Sequence, residues 1–471
     1  MTANLALVSV PFPTSSTPGA RPGEGKGRLV NTYAFKDGDE IVYGAVPGLV
    51  AGAVVGSGPR GGLLVGNTLY WAVSGSLVSL TGLNGPATTV GALPGDDLIT
   101  AARNNRQPTP DVVFVADGNA FTTDGTTVSD YPDPDLGSVN SVSFLNGSFY
   151  FTKGDGTIIA SGLNSTDINT LATAKAEAKP DGLLRGIVKG RQFIALGPTS
   201  TEFWDDVGST PFPLARSEVV DTGLFGSHAV AGFEDGWDKA WFMVASDGTV
   251  RRWDGYTPTP ISTRAVERSI ASVSNRNALT ACVYTFGGNS VLSLSGPDWT
   301  WEYHVNVGEW FERESYGLSR WRAQTSVNAF GRWIVGDTLS DRLMAVSEPA
   351  RREGDDPLVC VMEGYLATAP ATARLGRLRL HFSTGQGREE GTDPIETDPK
   401  VLVSWSGNGG AAYSVPVARS LGRQGQYARV IGVTSLGRAK HQGLRLRLAI
   451  SDPVSFAFKR ADLPDVIVRR G

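Results

Sequence analysis

The sequence has few of the residues that build disulfide frameworks and metal centres. Its 471 residues include two cysteines, Cys282 and Cys360, and four histidines, His228, His304, His381 and His441. Two cysteines cannot form a disulfide framework or a four-ligand zinc site, so we interpret both as buried free thiols. The histidines lie far apart in sequence and form no metal motif. We therefore predict no metal site and no cofactor.

Charge is also scarce. Charged residues make up 19% of the chain, and the formal net charge is −4. A protein that neutralises DNA phosphates needs a basic face, but the sequence has no dense run of Lys and Arg. We therefore expect no tight binding of nucleic acid. A mildly acidic surface would instead let DNA pass without binding it.

A secretion signal and a long apolar segment are absent as well. The N-terminus, MTANLALVSVPFP, lacks a basic segment followed by a long apolar run. The most apolar stretch, residues 44–55, contains a proline and three glycines and is too short to span a bilayer. We expect a protein that is made and used without crossing a membrane by itself.

Glycine, in contrast, is abundant, and a glycine-centred unit recurs along the chain. The 58 glycines exceed the roughly 33 of average usage. An apolar strand, a glycine turn and a second strand follow one another at 67–80, 111–123, 147–162, 191–204, 239–255, 288–305 and 331–346. The starts lie about 44 residues apart on average, close to the length of one propeller blade. We predict an all-β protein with a β-propeller of six to eight blades, seven favoured, over residues 45–346.

The turns of these units fit hairpin chemistry. Asp-Gly occurs at 117–118, 155–156 and 247–248, and Ser-Gly occurs at 74–75. Such pairs supply the positive φ that tight hairpin turns require. The best helix signal is 166–182, where Thr166 or Asp167 could cap and Pro180 would stop a helix, although a loop with one or two turns fits too.

Three further regions surround the repeats. Residues 1–44 are expected to be an N-terminal arm with the first strands. The charged, proline-containing segment 347–357 indicates a linker. Residues 358–471 are predicted to be a C-terminal β-sandwich or jelly-roll-like domain, because several segments alternate apolar with basic or polar residues. These segments are 359–366, 374–382, 400–407, 427–433 and 444–451. The acidic segment 385–399 is interpreted as a loop between them, and whether it binds a cation stays open.

Two motif classes have ordinary explanations. G-x-G-x-x-G occurs at 56–61, but a dinucleotide site also needs a following helix and an acidic residue about 20 positions on. Strand-like sequence follows instead, so we predict a Gly-Pro turn that opens the first blade. The acidic segments 37–39, 132–135, 154–156 and 389–393 lack the spacing of an EF-hand and are predicted to be turns.

The sharpest enzyme hypothesis concerns EFWDD (202–206). Paired carboxylates beside a tryptophan can form a glycosidase site, and Glu202, Asp205 and Asp206 are the candidates. Strand alternation points Glu202 and Asp205 to opposite faces, which argues against a shared site. SGNGGAAY (406–413) loosely resembles the Asp-box, a structural turn even in sialidases.

Most of the tryptophans fall inside the repeated units. We expect them to form blade cores, with sugar stacking as the lesser alternative. They are Trp71, Trp204, Trp241, Trp253, Trp299, Trp301, Trp310, Trp321 and Trp333.

Ordered segments across nearly the whole chain resemble the packaged-DNA stabilisation protein of short-tailed bacteriophages, also called the tail hub or nozzle. They begin with RLVNTYAF (28–35), VPGL (46–49) and GSGPRGGLLVGNTLYWAVSGSLVSL (56–80), and continue with AEAKPDGLL (176–184), LGPTSTEFWDDVGSTPFPLAR (196–216), SDGTVRRWDGYTPTPIST (246–263) and WTWEYHVNVGEWFERESYGLSRWRA (299–323). In the C-terminal region they are DPKVLVSWSGNGG (398–410), SLGRQGQYARV (420–430), SLGRAK (435–440) and SDPV (451–454). The sequence departs from the family pattern at Gly407-Asn408 and in YTFGGNSVLSL (284–294).

The resemblance implies a structural protein of the virion tail. It implies a homo-hexamer below the portal and its ring of adaptor proteins, which continues the DNA channel, closes the particle after packaging and carries a tail needle, fibres or tailspikes. It implies no catalytic residues. Arg374, Arg377 and Arg379 alternate with leucines and could dock on neighbours or form a solvated strand face. A sialidase-like enzyme and a carbohydrate-binding propeller remain the alternative hypotheses.

Overall fold

The computed structural model of the protein describes residues 6–21, 23–176, 178–368, 372–389 and 392–469. Parts of four predicted segments lie outside these residues: residues 1–5 and 22 of the N-terminal arm, residue 177 of the helix signal, residues 390 and 391 of an acidic turn, and residues 369–371, 470 and 471 of the C-terminal domain. Within the described residues no helix is long and apolar enough to cross a membrane.

Six strands precede the first complete blade. They are β1 (Ala6–Val10), β2 (Thr17–Pro18), β3 (Gly25–Val30), β4 (Thr32–Asp37), β5 (Glu40–Ala45) and β6 (Gly48–Val54).

Five four-stranded antiparallel sheets then follow in chain order. Blade 1 consists of β7 (Pro59–Val65), β8 (Thr68–Val73), β9 (Ser76–Leu80) and β10 (Thr88–Ala92). Blade 2 consists of β11 (Thr100–Arg103), β12 (Val112–Ala116), β13 (Asn119–Thr123) and β14 (Val128–Asp130). Blade 3 consists of β15 (Ser141–Leu145), β16 (Ser148–Thr152), β17 (Thr157–Ser161) and β18 (Ile168–Lys175). Blade 4 consists of β19 (Arg185–Lys189), β20 (Gln192–Leu196), β21 (Thr201–Asp206) and β22 (Leu214–Val220). Blade 5 consists of β23 (Val230–Ala231), β24 (Trp241–Val244), β25 (Val250–Asp254) and β26 (Thr257–Pro260).

Two more four-stranded blades continue into larger sheets. Blade 6 consists of β27 (Thr280–Phe286), β28 (Asn289–Ser295), β29 (Thr300–His304) and β30 (Glu309–Glu312). Blade 7 consists of β31 (Ala323–Ala329), β32 (Arg332–Asp337) and β33 (Arg342–Ser347), with β6 as its fourth strand.

The pairing of β33 with β6 closes the ring. Met344 lies opposite Ala51, and Ser347 lies opposite Gly48, in an antiparallel register. A strand from before blade 1 thus completes the last blade, and all seven innermost strands line one central cavity. The prediction of a β-propeller with six to eight blades is confirmed.

The second and third strands of the blades coincide with the seven predicted hairpins. In the turn between β12 and β13, Asp117 and Gly118 have φ of 49° and 73°, as in the turn type that suits the twist of paired strands. Asn146 and Gly147 form the same kind of turn in blade 3, with φ of 49° and 98°. Short-range turn chemistry therefore specifies the central hairpin of blade 2 and the first hairpin of blade 3.

The core lies between neighbouring blades because each sheet buries both of its faces. In β12, Phe114 packs with Tyr70 of blade 1 on one side. On the other side, Val113 and Val115 pack with Phe149 and Phe151 of blade 3. Of the nine tryptophans expected in blade cores, eight are buried and Trp299 is partly buried, which confirms the core interpretation.

The remaining strands form the C-terminal part. They are β34 (Arg352–Glu353), β35 (Asp356–Pro357), β36 (Cys360–Leu366), β37 (Thr372–Leu375), β38 (Leu378–Phe382), β39 (Lys400–Ser406), β40 (Val417–Ser420), β41 (Ile431–Val433), β42 (Gly437–Ala439), β43 (Leu444–Ile450) and β44 (Phe458–Arg469). The predicted C-terminal β-sandwich is confirmed.

Both sheets of this part include N-terminal strands. One sheet continues from β30 through β3 to β36, β43, β39 and β40. In the other sheet, β44 pairs with β1, β5, β37 and β38. The division into residues 1–44, 45–346, 347–357 and 358–471 stays a prediction.

The predicted helix at 166–182 is wrong. Residues 168–175 form strand β18, which pairs with β17 at the outer edge of blade 3. Pairing with a neighbouring strand overrides the local helix preference of the alanines. The described helices are α1 (Arg264–Ala271), capped by Thr263, and the short α2 (Pro394–Thr397), with two 3₁₀ turns at Pro134–Leu136 and Arg276–Ala278.

Arg60 anchors blade 1 and gives a first test. Its guanidinium is buried and donates to the carbonyl oxygens of Asp97, Ser74, Leu93 and Pro94 at 2.7 to 2.8 Å. Arg60→Met leaves these oxygens without donors, so we expect the free energy of unfolding to fall by about 3 kcal/mol.

Urea denaturation measures this change. The exposed Arg332→Met is the matched control, with an expected change within ~0.5 kcal/mol. Equal losses in the two variants would contradict the anchoring role of Arg60.

Candidate functional site

The central cavity of the propeller is a candidate ligand-binding site. It has a volume of about 380 Å³ and is walled by β7, β11, β15, β19, β23, β27 and β31. Ligand pockets typically measure ~300–1,000 Å³. The cavity of one propeller therefore has room for a small molecule and none for a DNA duplex.

Two basic side chains of β19 join blade 4 to blade 5. Arg185 donates from Nη1 to the carbonyl oxygen of Ser227 at 3.2 Å, and it stacks on the ring of Phe233. Lys189 donates from Nζ to the carbonyl oxygens of Gly232 and Trp237 at 2.7 and 3.1 Å. Both side chains thus bridge a gap between blades.

Burial shifts two further ionisable groups of the cavity, His228 and Glu234, towards their neutral forms. Nδ1 of His228 lies 3.2 Å from Nη1 of Arg185, and because a guanidinium only donates, the imidazole must accept. Burial and the nearby Arg185 lower the pKa of His228 to about 3. Burial raises the pKa of Glu234 to about 7, against the hydrogen bond that its carboxylate accepts from Gly232. These groups support the wall and form no acid–base pair among themselves.

A second cluster, which we call the Glu353 junction, lies where the ends of the propeller meet. Glu353 and Arg313 are both essentially fully buried, and Nη2 of Arg313 lies 2.8 Å from Oε1 of Glu353. The same carboxylate accepts hydrogen bonds from Nε1 of Trp321 at 3.0 Å and from Oγ of Ser315. Arg313 also donates to the carbonyl oxygen of Pro47, just before β6.

Arg322 extends the junction into blade 7. Its Nε and Nη2 donate to the two oxygens of buried Asp337 at 2.8 and 2.6 Å. Its Nη1 donates to Asp356 at 2.6 Å. Hydrogen bonds to both carboxylate oxygens hold the planar guanidinium in one orientation. The junction therefore ties β6, β30, β31, β32 and β34 together, and it places buried side chains within the segment predicted as a linker.

Asn31 connects β3 to blade 6 and to the C-terminal part. Its Nδ2 donates to the carbonyl oxygens of Glu314 and Val359, both at 2.8 Å, and its Oδ1 accepts from the amide of Glu314 at 3.1 Å. Its φ of 53° lies in the left-handed region, which asparagine tolerates better than most residues. One side chain thus satisfies three backbone groups from two distant segments.

His304 and Glu302 are buried on the same strand beside the junction. His304 is 1% exposed and stacks on Tyr33 with ring centroids 5.1 Å apart. Burial lowers the pKa of His304 to about 4. Burial also raises the pKa of Glu302 to about 7, and Oη of Tyr284 lies 2.9 Å from its carboxylate.

The carboxylates of EFWDD do not converge. Glu202 is buried and accepts from the amide of Ala178 at 2.9 Å, with Arg216 at 3.4 Å. Asp205 accepts from Gln192, and Asp206 accepts from Asn146. Each candidate therefore has its own structural partner.

The other predicted positions lie in turns and strands. Gly56 to Gly58 connect β6 to β7, Asp133 caps a 3₁₀ turn, and Asp155 accepts from the amide of Thr157. In the 406–413 turn, Tyr413 donates from its hydroxyl to Glu363 at 2.7 Å. In the described parts of the chain, no group of three or more His, Cys, Asp or Glu side chains could hold a metal ion.

The cysteines and the C-terminal arginines lie as the sequence indicates. Cys282 and Cys360 are buried and free, as predicted, and burial raises the pKa of Cys360 to about 12. Arg374, Arg377 and Arg379 are exposed, whereas the leucines between them are buried.

The sequence does not predict the Glu353 junction. Arg313 and Glu353 are separated by 40 positions, and only closure of the ring makes them neighbours. The one available signal is that Arg313 and Arg322 fall within the family-like segment 299–323.

Two family models match the chain. One is described as the β-propeller of bacteriophage P22 Gp10 and matches residues 42–349, and the other is described as the β-sandwich of the same protein and matches residues 362–463. None of the curated proteins compared with the chain matches it.

The solved structures that match the chain with low sequence identity include the following three. The computationally designed Ika8 protein is 13% identical, with 72% of this chain and 98% of that chain covered. PorZ of the type-IX secretion system of Porphyromonas gingivalis is 12% identical, with 71% and 45% covered. The WD40 β-propeller domain of Doa1 is 12% identical, with 68% and 96% covered. Each has a TM-score of 0.38, which is too low to support a functional argument.

Breaking the Glu353 junction should be costly. Glu353→Gln removes the carboxylate that pairs with buried Arg313 at 2.8 Å, so we expect the free energy of unfolding to fall by ~3–5 kcal/mol. Asp356→Asn changes the half-exposed end of the same network and should cost less than ~1 kcal/mol. Urea denaturation distinguishes the two, and a loss of under ~1 kcal/mol for Glu353→Gln would show that the pair does not hold the ring ends.

His304 should make stability depend on pH. The unfolded chain protonates His304 near pH 6.5, whereas burial delays this to a pKa of about 4 in the folded chain. Below pH ~6.5 the unfolded state therefore holds more protons, and stability falls as pH falls.

A phenylalanine variant isolates this effect. His304→Phe keeps a ring against Tyr33 without the titrating nitrogens, so wild type should lose about 2 kcal/mol relative to it between pH 7.5 and 5. The exposed His441→Gln should leave the pH profile unchanged. Parallel profiles for wild type and His304→Phe would refute the assignment.

Proposed function

This chain belongs to the bacteriophage P22 Gp10 family of packaged-DNA stabilisation proteins, and we propose that it forms the tail hub, or nozzle, of a short-tailed phage. The family membership makes it a structural component of the virion tail. The observation that carries the proposal is the match of both family domains, in order, over most of the chain.

The proposed hub is a homo-hexamer below the portal and its adaptor ring. It extends the DNA channel, helps to retain packaged DNA, and carries needle, fibre or tailspike proteins. The cavity of a single propeller has no room for a duplex, so in this proposal DNA passes along the axis between copies, without sequence-specific binding. The protein is made in the cytoplasm of the bacterial host and acts in the particle.

A rigid subunit suits this role. The propeller is closed by β6, and the Glu353 junction fixes the two ends of the ring to each other. A wall built from such subunits resists the outward force of packaged DNA because the two ends of the ring cannot separate without breaking a buried ion pair.

We propose that the hub has no catalytic activity. Glu202, Asp205 and Asp206 each have a structural partner and face different neighbours, which supports this assignment over the sialidase-like alternative.

One variant distinguishes a structural role of Glu202 from a catalytic role. Glu202→Gln keeps an oxygen that can accept from Ala178 and removes the carboxylate. In the phage that encodes the chain, this variant should leave titre and particle shape unchanged, because no reaction depends on the carboxylate. If the chain were a hydrolase that used Glu202 as its general acid or base, Glu202→Gln would lower its activity ~10²–10⁴-fold.

Deletion of the gene is the opposing control. Particles without the protein should lack the distal tail in electron micrographs and should lose packaged DNA. Full tails on DNA-filled heads after deletion, or a titre that collapses with Glu202→Gln in a protein that remains folded, would refute the proposed function.

A further inference from the structure

The two signs of charge are unevenly distributed along the chain. Residues 358–471 contain 16 Lys and Arg against nine Asp and Glu, whereas residues 1–357 contain 27 against 38. The formal charge is therefore +7 for the C-terminal part and −11 for the rest. The small net charge of the whole chain conceals two strongly charged parts of opposite sign.

Exposed arginines carry the positive charge of the C-terminal domain, and we call the surface around Arg374 and Arg438 the basic face. Arg379, Arg423 and Arg429 are further exposed arginines of the same domain. Arg374 and Arg438 are directly opposite each other in the pairing of β37 with β42. Among the described residues neither arginine has an ion-pair partner. Like charges in directly opposed positions destabilise a sheet, so an external anionic surface would relieve their repulsion.

The negative charge is densest in blades 1 and 2, in a segment that we call the acidic side. Residues 94–135, in blades 1 and 2, contain eight aspartates and two arginines. The exposed ones are Asp96, Asp97, Asp117, Asp124, Asp130 and Asp135. Strand β14, which ends at Asp130, is the outermost strand of blade 2.

The two charged surfaces are separated within one molecule. The C-terminal domain joins the ring at blades 6 and 7, through β3 beside β30 and β34 beside β6. Blade 1 is the neighbour of blade 7, and β14 with Asp130 lies one blade further along the ring, in blade 2. In the described chain no salt bridge connects residues 94–135 with residues 358–469. Complementary charge at two separate positions permits a contact between copies rather than within one.

We propose that the basic face of one copy docks on the acidic side of the next copy. Because the contact uses two different surfaces, it is head-to-tail, and such contacts close into rings when the rotation permits. The inference rests on the proposed tail hub and names the surfaces that join its neighbouring subunits. DNA phosphate is the other anion that arginines could meet, but the matching acidic side on the same chain favours a second copy.

Charge reversal on each surface tests the contact in the full chain. One variant carries Arg374→Glu and Arg438→Glu, and the other carries Asp130→Lys and Asp135→Lys. Sedimentation measures self-association, both of the chain alone and on the portal and adaptor proteins of the same phage. At ~0.1 M salt each variant should associate at least ~10-fold more weakly than wild type.

Mixing the two variants gives the decisive measurement. The acidic C-terminal surface of the first variant then meets the basic propeller surface of the second, and the reverse contact matches as well. An equimolar mixture should therefore recover association to within ~3-fold of wild type. Raising salt to ~1 M, where screening acts within ~3 Å, should weaken wild type and mixture alike.

Two controls separate docking from general effects. Arg264→Glu with Arg332→Glu changes the net charge equally at exposed propeller positions and should leave association unchanged. Arg374→Glu alone converts a like-charge pair into an opposite-charge pair with Arg438, so it should raise the unfolding temperature and still weaken association.

The proposal is overturned if the control variant weakens association as much, if the mixture fails to recover it, or if wild type does not associate by itself or on the portal. It is also overturned if the arginine variant instead loses binding to duplex DNA while self-association is unchanged. The tail-hub proposal fails separately, when the protein is absent from virion tails. If the protein formed charge-dependent rings but were absent from virion tails, the docking inference would stand and only the tail-hub proposal would fail.

Discussion

The antiparallel pairing of β6 with β33 closes the ring of blades, and the packing of every blade depends on this closure. Each sheet buries both faces against neighbours, so an open ring would expose the apolar faces at its two ends. Arg313 and Glu353 add a charged pair that is removed from water at the same place. Such a pair stabilises the fold only when both partners are present, because either alone is a buried charge. The ring ends therefore form as one cooperative unit.

The sequence specifies the blade centres well because their signals are local. A Gly-containing turn and two apolar strands lie within about 16 residues, and all seven predicted hairpins are strands two and three of a blade. The innermost and outermost strands of the blades are harder to predict from the sequence. β11 is four residues long, and β18 has the alanines of a helix, so only the neighbouring strands determine their conformation.

The junction residues could not be found from the sequence for a different reason. Glu353 lies in a charged, proline-containing segment that has the composition of a linker, and its partner is 40 positions away. Its burial is a result of ring closure and not of local pattern. The absence of a shared carboxylate site in EFWDD is easier to predict from the sequence, because strand alternation already points Glu202 and Asp205 to opposite faces.

The sheet that joins β1 to β44 has a consequence for biosynthesis. Ala6 lies opposite Val466, so β1 cannot pair with β44 until the roughly 460 residues between them have been synthesised. At ~5–20 residues per second, this interval is roughly 20 to 90 s. During that time β6 also has no partner, because blade 7 is made late. The ring therefore closes only after β33 has been made, and until their partner strands exist the exposed edges of β1 and β6 are the sites where a nascent chain can be captured by another molecule.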